Sequence, residues 1–229
     1  MQLTDARRNE IFRAMVRSET KPRSEAARHL KSVACRLFAE RGVDGVTVRD
    51  IAEAAGQKNH AAVGYHFGSK DALIRELVVD GARVIDANRN AALDELEGSR
   101  AAIAVADVVD VLVRTSIDLA GSGLEGSYNR FVVMLGMTHR DVLMDALEDR
   151  WNSGYLRCFE HLRRLMPKMS PAKKNQRLIF VGACLGSVLA ARETALADRS
   201  REHRTWGSQQ MLDHFAATMT ALIEASASA

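Results

Sequence analysis

Residues 56–70 read GQKNHAAVGYHFGSK, a stretch rich in groups that make directional hydrogen bonds. Lys58, Asn59, His60, Tyr65, His66 and Lys70 supply donors and acceptors, while Ala61, Ala62 and Gly64 occupy almost no volume. Small residues let a helix backbone approach a grooved partner, and polar neighbours can then reach base edges or phosphates. Asn suits a bidentate pair with adenine, and Lys70 follows Ser69 where free backbone N–H groups at a helix start favour phosphate. Other chemistry fits worse. His60 and His66 stand six apart without acidic or thiol companions, so no metal and no cofactor is expected. No phosphate-cradling glycine loop, HExxH pair or nucleophile–base spacing occurs, so no catalytic residue and no enzyme activity is expected.

Such a segment must be held outward by its neighbours. From Ser24, the residues Leu30, Val33, Ala34, Leu37 and Phe38 fall on one face of a helix that Gly42 stops. Thr47, with Asp50 three positions on, forms a capping-box pattern for a second helix that Gly56 closes after barely two turns. A third short helix is expected over 59–66. Ser69 then caps a long helix whose apolar face, Ile74, Leu77, Val78, Gly81, Val84 and Ile85, continues towards Leu96. Two short helices joined by a glycine-containing turn behind a longer one describe a helix-turn-helix. Further helices are expected over 101–121, around 128–135, over 141–165, over 171–197 behind Ser170-Pro171, and from Ser208 onward. No convincing alternating strand is present. The expected fold is all-α, with a basic extension over 1–23, a DNA-binding head over 24–70, and a larger helical domain over 71–229.

Composition sets the class. The chain has 229 residues, 47% hydrophobic and 27% charged, as in an ordinary globular protein. Three cysteines, Cys35, Cys158 and Cys184, are too few and too scattered for a disulfide framework, and each reads as a small buried hydrophobe. No apolar run long enough for a membrane span and no signal peptide are expected, so the assigned address is the cytoplasm, without a membrane partner. Charge is uneven: residues 1–70 hold 13 Lys/Arg against 8 Asp/Glu, and residues 71–229 hold 19 against 21. A basic head on a near-neutral body suits a chain whose first part meets a polyanion. The extension, with Arg7, Arg8, Arg13, Arg17, Lys21 and Arg23, reads either as a loose tail or as an arm on DNA.

The segment ACRLFAERGVDGVTVRDIAEAAGQKNHAAVGYHFGSKDAL resembles the DNA-binding part of TetR-family transcriptional regulators. The features that carry the resemblance are LFAERG, the Thr opening the second helix, IAEAAG, an aromatic cluster and SKDAL, over roughly residues 30–75. One residue more than the commoner family pattern lies between Gly56 and Phe67, in the turn or at the start of the third helix. The resemblance implies phosphate contacts by Thr47, Tyr65 and His66, with Phe67 in the core; Arg49, on the turn after Thr47, is the candidate for guanine. It also implies a homodimer on double-stranded DNA, with an inverted-repeat operator, built through the helices over 171–197 and 208–225. Gly182, Gly186, Ala190, Met211 and Phe215 are the residues expected at that interface. It further implies a small-molecule effector, partly apolar, lined by Tyr128, Phe131, Met134, Leu135, Met137, Trp151, Tyr155 and Phe159. The expected function is a dimeric repressor released by that ligand; a DNA-bound structural or division-coordinating protein without an effector is the alternative. Plainer readings stay open at each position. Thr47 can be only a cap, Arg49 a solvated arginine, Asn59 the end of a turn, and the glycine and aromatic stripes ordinary packing.

Overall fold

The Ser24, Thr47 and Ser69 hydroxyls each open a helix, and an asparagine turn precedes another. The computed structural model describes residues 24–226 apart from 100 and 149, so the basic extension over 1–23 lies outside the described residues. Among those described there are eleven helices and no strand. The Ser24 hydroxyl accepts from the Ala27 N–H at the start of α1 (Glu25–Arg41), which Gly42 closes at a φ of 72°. Thr47 and Asp50 cap each other reciprocally before α2 (Val48–Ala54). Asn59 Oδ1 accepts from the Ala61 N–H at 2.9 Å, so α3 (Ala62–Phe67) starts three residues later than expected. Ser69 caps α4 (Lys70–Gly98) through the Ala72 N–H.

The body comprises α5 (Val105–Ile117), α6 (Tyr128–Thr138), α7 (Arg140–Leu147), α8 (Ser153–Leu165), α9 (Pro171–Ala197), the short α10 (Arg204–Gly207) and α11 (Gln209–Glu224). Two boundaries depart from expectation. The helix expected from residue 101 begins at Val105, where Asp107 accepts from the Ala104 N–H. The single helix expected over 141–165 is two, because Glu148 turns into the left-handed region at a φ of 45°.

Two helices lack a local side-chain cap and receive one from a distant element. Glu193 of α9 accepts from the Asn129 and Arg130 N–H groups at 3.1 and 2.8 Å, closing the first turn of α6. Asp86 of α4 accepts from the Ser153 hydroxyl and the Gly154 N–H at 2.8 and 2.7 Å, closing the start of α8. A buried carboxylate is tolerable in both places because exposed N–H groups and the positive helix end compensate its charge.

The apolar interior falls into two clusters. The first joins Leu30, Phe38, Ile51 and Val63 of the head to Leu73, Leu77, Tyr128, Phe131, Leu135 and Ala146 beyond it, so one core crosses the boundary expected at residue 70. Phe38 stacks on Phe131 at 6.1 Å between ring centroids. Helix α6 packs against both α1 and α9, so it joins α4 in linking head and body. The second cluster gathers Leu93, Val108, Leu112, Cys158, Leu162, Leu185, Leu212 and Met219. Contrary to expectation, α9 is long and apolar enough by composition to cross a membrane, although Leu178, Val181, Leu185 and Leu189 are buried against this second core. Cys35 and Cys158 are buried as expected, and burial pushes the Cys158 thiol up to about 11. Cys184 is exposed on α9, which corrects the expectation of a buried thiol there.

Candidate nucleic-acid interface

Helices α1 and α4 form a base on which α2 and α3 stand. Lys31 of α1 makes ion pairs with Glu76 and Asp80 of α4, a clamp that residue spacing did not reveal. On α3 the sides divide sharply. Val63 and Phe67 enter the core, while Gly64 faces open space and Tyr65 is 84% exposed. The Tyr65 ring meets the half-buried His66 edge-on at 4.9 Å. Lys58, Asn59, His60 and Ala61 are exposed in the turn before the helix. Ala62 is only 7% exposed, so its expected place on the outward face is corrected: the late start of α3 turns it into the core.

Thr47 is exposed at the head of α2, and its hydroxyl lies 2.7 Å from an Asp50 oxygen. Hydrogen bonds from the Thr47 backbone, then its side chain, hold the Asp50 carboxyl below the usual carboxylate range. Arg49 projects from the same turn, its side chain 71% exposed, and its Nε donates to Glu53 at 2.8 Å. That exposed pair is weak and can open for a better acceptor.

Lys70 departs from expectation. Its Nζ donates to the carbonyls of Val43 and Val46 at 3.0 and 3.2 Å, tying the loop between α1 and α2 to the start of α4. The ammonium is therefore engaged by these two carbonyls and not turned outward as expected.

The residues expected to line one effector cavity are not brought together. Tyr128, Phe131 and Leu135 belong to the first core, and the Tyr128 hydroxyl donates to the Val78 carbonyl at 2.7 Å. Met137 is 82% exposed. Met134 reaches towards Gly42, and Trp151 lies beside Arg150. Tyr155 and Phe159 alone of the set border a groove, of about 530 Å3, with Leu178, Ile179, Gly182 and Arg163. The small-residue stripe is also reassigned. Gly182 lies beneath the Tyr155 hydroxyl, Gly186 against Val133, and Ala190 is buried, so all three pack within the chain. The exposed face of α9 carries Phe180, Cys184 and Ser187, at helical spacing. Met211 and Phe215 of α11 are half-buried beside His214 and Thr218.

Comparison with known proteins locates the likeness in the head. Residues 30–77 match the family model described as bacterial regulatory proteins, tetR family. A transcriptional repressor of Rhodococcus jostii, KstR2, is 40% identical over 60 residues, which is 26% of this chain and 29% of that protein. The Mycobacterium tuberculosis repressor Rv3405c is 46% identical over 52 residues, 23% of this chain and 27% of its own. The match thus spans less than a third of the length of these relatives, whose names are those of regulators, not enzymes. The solved structure of a tetR-family regulatory protein from Rhodococcus RHA1 superposes with a TM-score of 0.59 at 14% identity, covering 89% of this chain and 100% of that one. That likeness extends the shared all-α fold through the body.

Proposed function

We propose that the chain, whose residues 30–77 match the tetR-family model, is a DNA-binding transcriptional regulator of that family acting in the cytoplasm as a two-fold dimer. The observation that carries this reading is the outward face of α3, where open space over Gly64 adjoins the exposed Tyr65 ring. Neither residue packs in the core, so both are left to face a partner. In this reading α3 enters the major groove, Gly64 lets its backbone approach the bases, and Tyr65 with His66 anchors phosphate. Asn59 and His60 approach base edges, Lys58 and Thr47 meet the backbone, and Arg49 exchanges Glu53 for guanine.

One head touches few base pairs, so two must act together on an inverted repeat. The exposed face of α9 with Phe180, Cys184 and Ser187, together with Met211 and Phe215 of α11, supplies a surface for self-association. The proposed mode is repression relieved by a small ligand, with α6 carrying the change from α9 to α1 because it packs on both. The filled core around Tyr128 and Phe131 favours a second reading, a DNA-bound organising protein without an effector.

Selection of bound genomic fragments tests the proposal and separates the two readings. A few inverted repeats near promoters support the regulator, many dispersed sites support the organiser, and no enrichment contradicts both. Sedimentation of the parent chain and Phe180→Glu tests the dimer: the variant should sediment as a monomer, and an unchanged dimer would remove this face from the interface.

A further inference from the structure

A polar layer crosses the body between the two apolar clusters. Asp86, Arg89, Thr115, Ser116 and Glu193 are the buried polar residues among those described. Asp86 and Glu193 have a structural task, since they close helix ends. Arg89 has none as clear. Its residue is 5% exposed, and its guanidinium donates to the Thr115 hydroxyl at 3.1 Å and the Ser116 hydroxyl at 2.8 Å. Neither acceptor carries charge, and no described carboxylate forms an ion pair with it. Asp86, one turn away on α4, has its two oxygens engaged by Ser153 and Gly154. Burial accordingly lowers the Arg89 pKa, as for a cation short of counter-charge.

The surroundings of Arg89 open to one side. The Tyr155 ring stands 5.7 Å from the guanidinium and packs on Phe159 with 4.2 Å between centroids. The other side of this aromatic pair forms the wall of the groove between α8 and α9. Gly182 makes room for the Tyr155 hydroxyl, because a Cβ there would come within 2.6 Å of it. Leu178 and Ile179 continue the apolar wall, Arg163 and Asn175 stand with them, and no carboxylate lines the groove. The larger groove of the body, about 920 Å3 between α4, α5 and α11, has the opposite sign, with Glu95, Asp107, Asp110, Asp213 and Glu224 around Arg114.

We propose that the α8–α9 groove takes a small carboxylic acid with an aromatic or aliphatic body, its carboxylate pairing with Arg89 once the Tyr155 ring turns aside. The body of the ligand replaces Tyr155 against Phe159, and the bidentate fork of the guanidinium selects a carboxylate over a neutral polar group. This gives the chemical class of the effector invoked above, and its effect on DNA rests on that reading.

Calorimetric titration of the full chain with 4-phenylbutyrate, octanoate and their primary amides tests the site. At least one acid should bind about tenfold or more tighter than its amide. Arg89→Gln should erase that preference. Asn175→Trp, at an exposed position on the groove, should weaken the acid without touching the buried layer, and so serves if Arg89→Gln fails to fold. Equal binding of acid and amide overturns the site, as does no heat from either acid at millimolar concentration, a preference that survives Arg89→Gln, or full acid affinity in Asn175→Trp. The same acids are then added to the chain on a selected genomic fragment. A bound acid that leaves DNA affinity unchanged contradicts the effector reading and leaves the site standing; absent binding removes the site alone.

Discussion

Gly64→Ala separates the demands of DNA from those of folding. Gly64 sits in the middle of α3 with helical backbone, and a Cβ built there meets nothing within 4 Å. Alanine at such a position should stabilise the helix by about 0.8–1.0 kcal/mol, since it restricts the unfolded chain and is the better helix former. The head shares its core with α6, so the gain should appear in the main transition and raise the Tm by roughly 2–4 °C for a chain of this size. Against DNA the sign reverses. If the α3 backbone lies against base edges, the added methyl forces an overpacked contact costing about 1–3 kcal/mol, a loss of roughly 5- to 150-fold in affinity. Thermal denaturation followed by circular dichroism reads the first effect, and fluorescence anisotropy on a selected fragment reads the second. A variant that melts higher and binds as tightly as the parent would refute the close approach at Gly64.

Three further outcomes follow from the head. Arg49→Ala should leave the Tm essentially unchanged, because the lost pair with Glu53 is exposed, yet weaken specific DNA binding strongly; equal affinity in anisotropy would remove Arg49 from base readout. Lys70→Ala should act on stability, lowering it by roughly 1–3 kcal/mol through two lost charge-assisted bonds to Val43 and Val46, with the salt slope of DNA binding unchanged. A slope reduced by about one, measured across salt, would return its ammonium to phosphate. The folded Asp50 carboxyl is held below its unfolded value, so its stabilising effect is present above the ordinary carboxylate range and is lost as pH falls through the folded pKa. Asp50→Asn should flatten that part of the stability–pH profile, and a profile identical to the parent's would show that the Thr47 cap does not depend on the charge.

What could be read from sequence was local. Ser24, Thr47 with Asp50, Ser69, Ser170 and Ser208 mark helix starts because their hydroxyls act within three residues, and each one opens a helix where it should. The outward placement of Gly64 and Tyr65 and the inward turn of Val63 and Phe67 follow from the same short-range pattern. The register of α3 was harder. Ala61 and Ala62 are identical in type, and the Asn59 turn holds Ala61 outside the helix while Ala62 is buried. Other features depend on partners far along the chain. Asp86 and Glu193 cap helices more than sixty residues away, which no local motif records. Gly182 and Gly186 formed a stripe suited to close helix approach, but the side chains approaching them, Tyr155 and Val133, belong to the same chain. Tyr128 and Phe131 had the spacing of cavity residues and of core residues alike, and the packing of α1 against α6 makes them core.

The most direct measurement is dimethyl sulfate protection of guanine N7 on a selected fragment bound by the full chain, compared with Tyr65→Ala. Guanine N7 lies in the major groove, so a seated α3 should protect two short patches about one helical turn apart on one side of the duplex. The Tyr65 variant should lose both patches together at protein concentrations that protect fully with the parent. Retained N7 reactivity throughout a saturated complex, or protection indifferent to Tyr65, would mean that this helix does not lie in the groove.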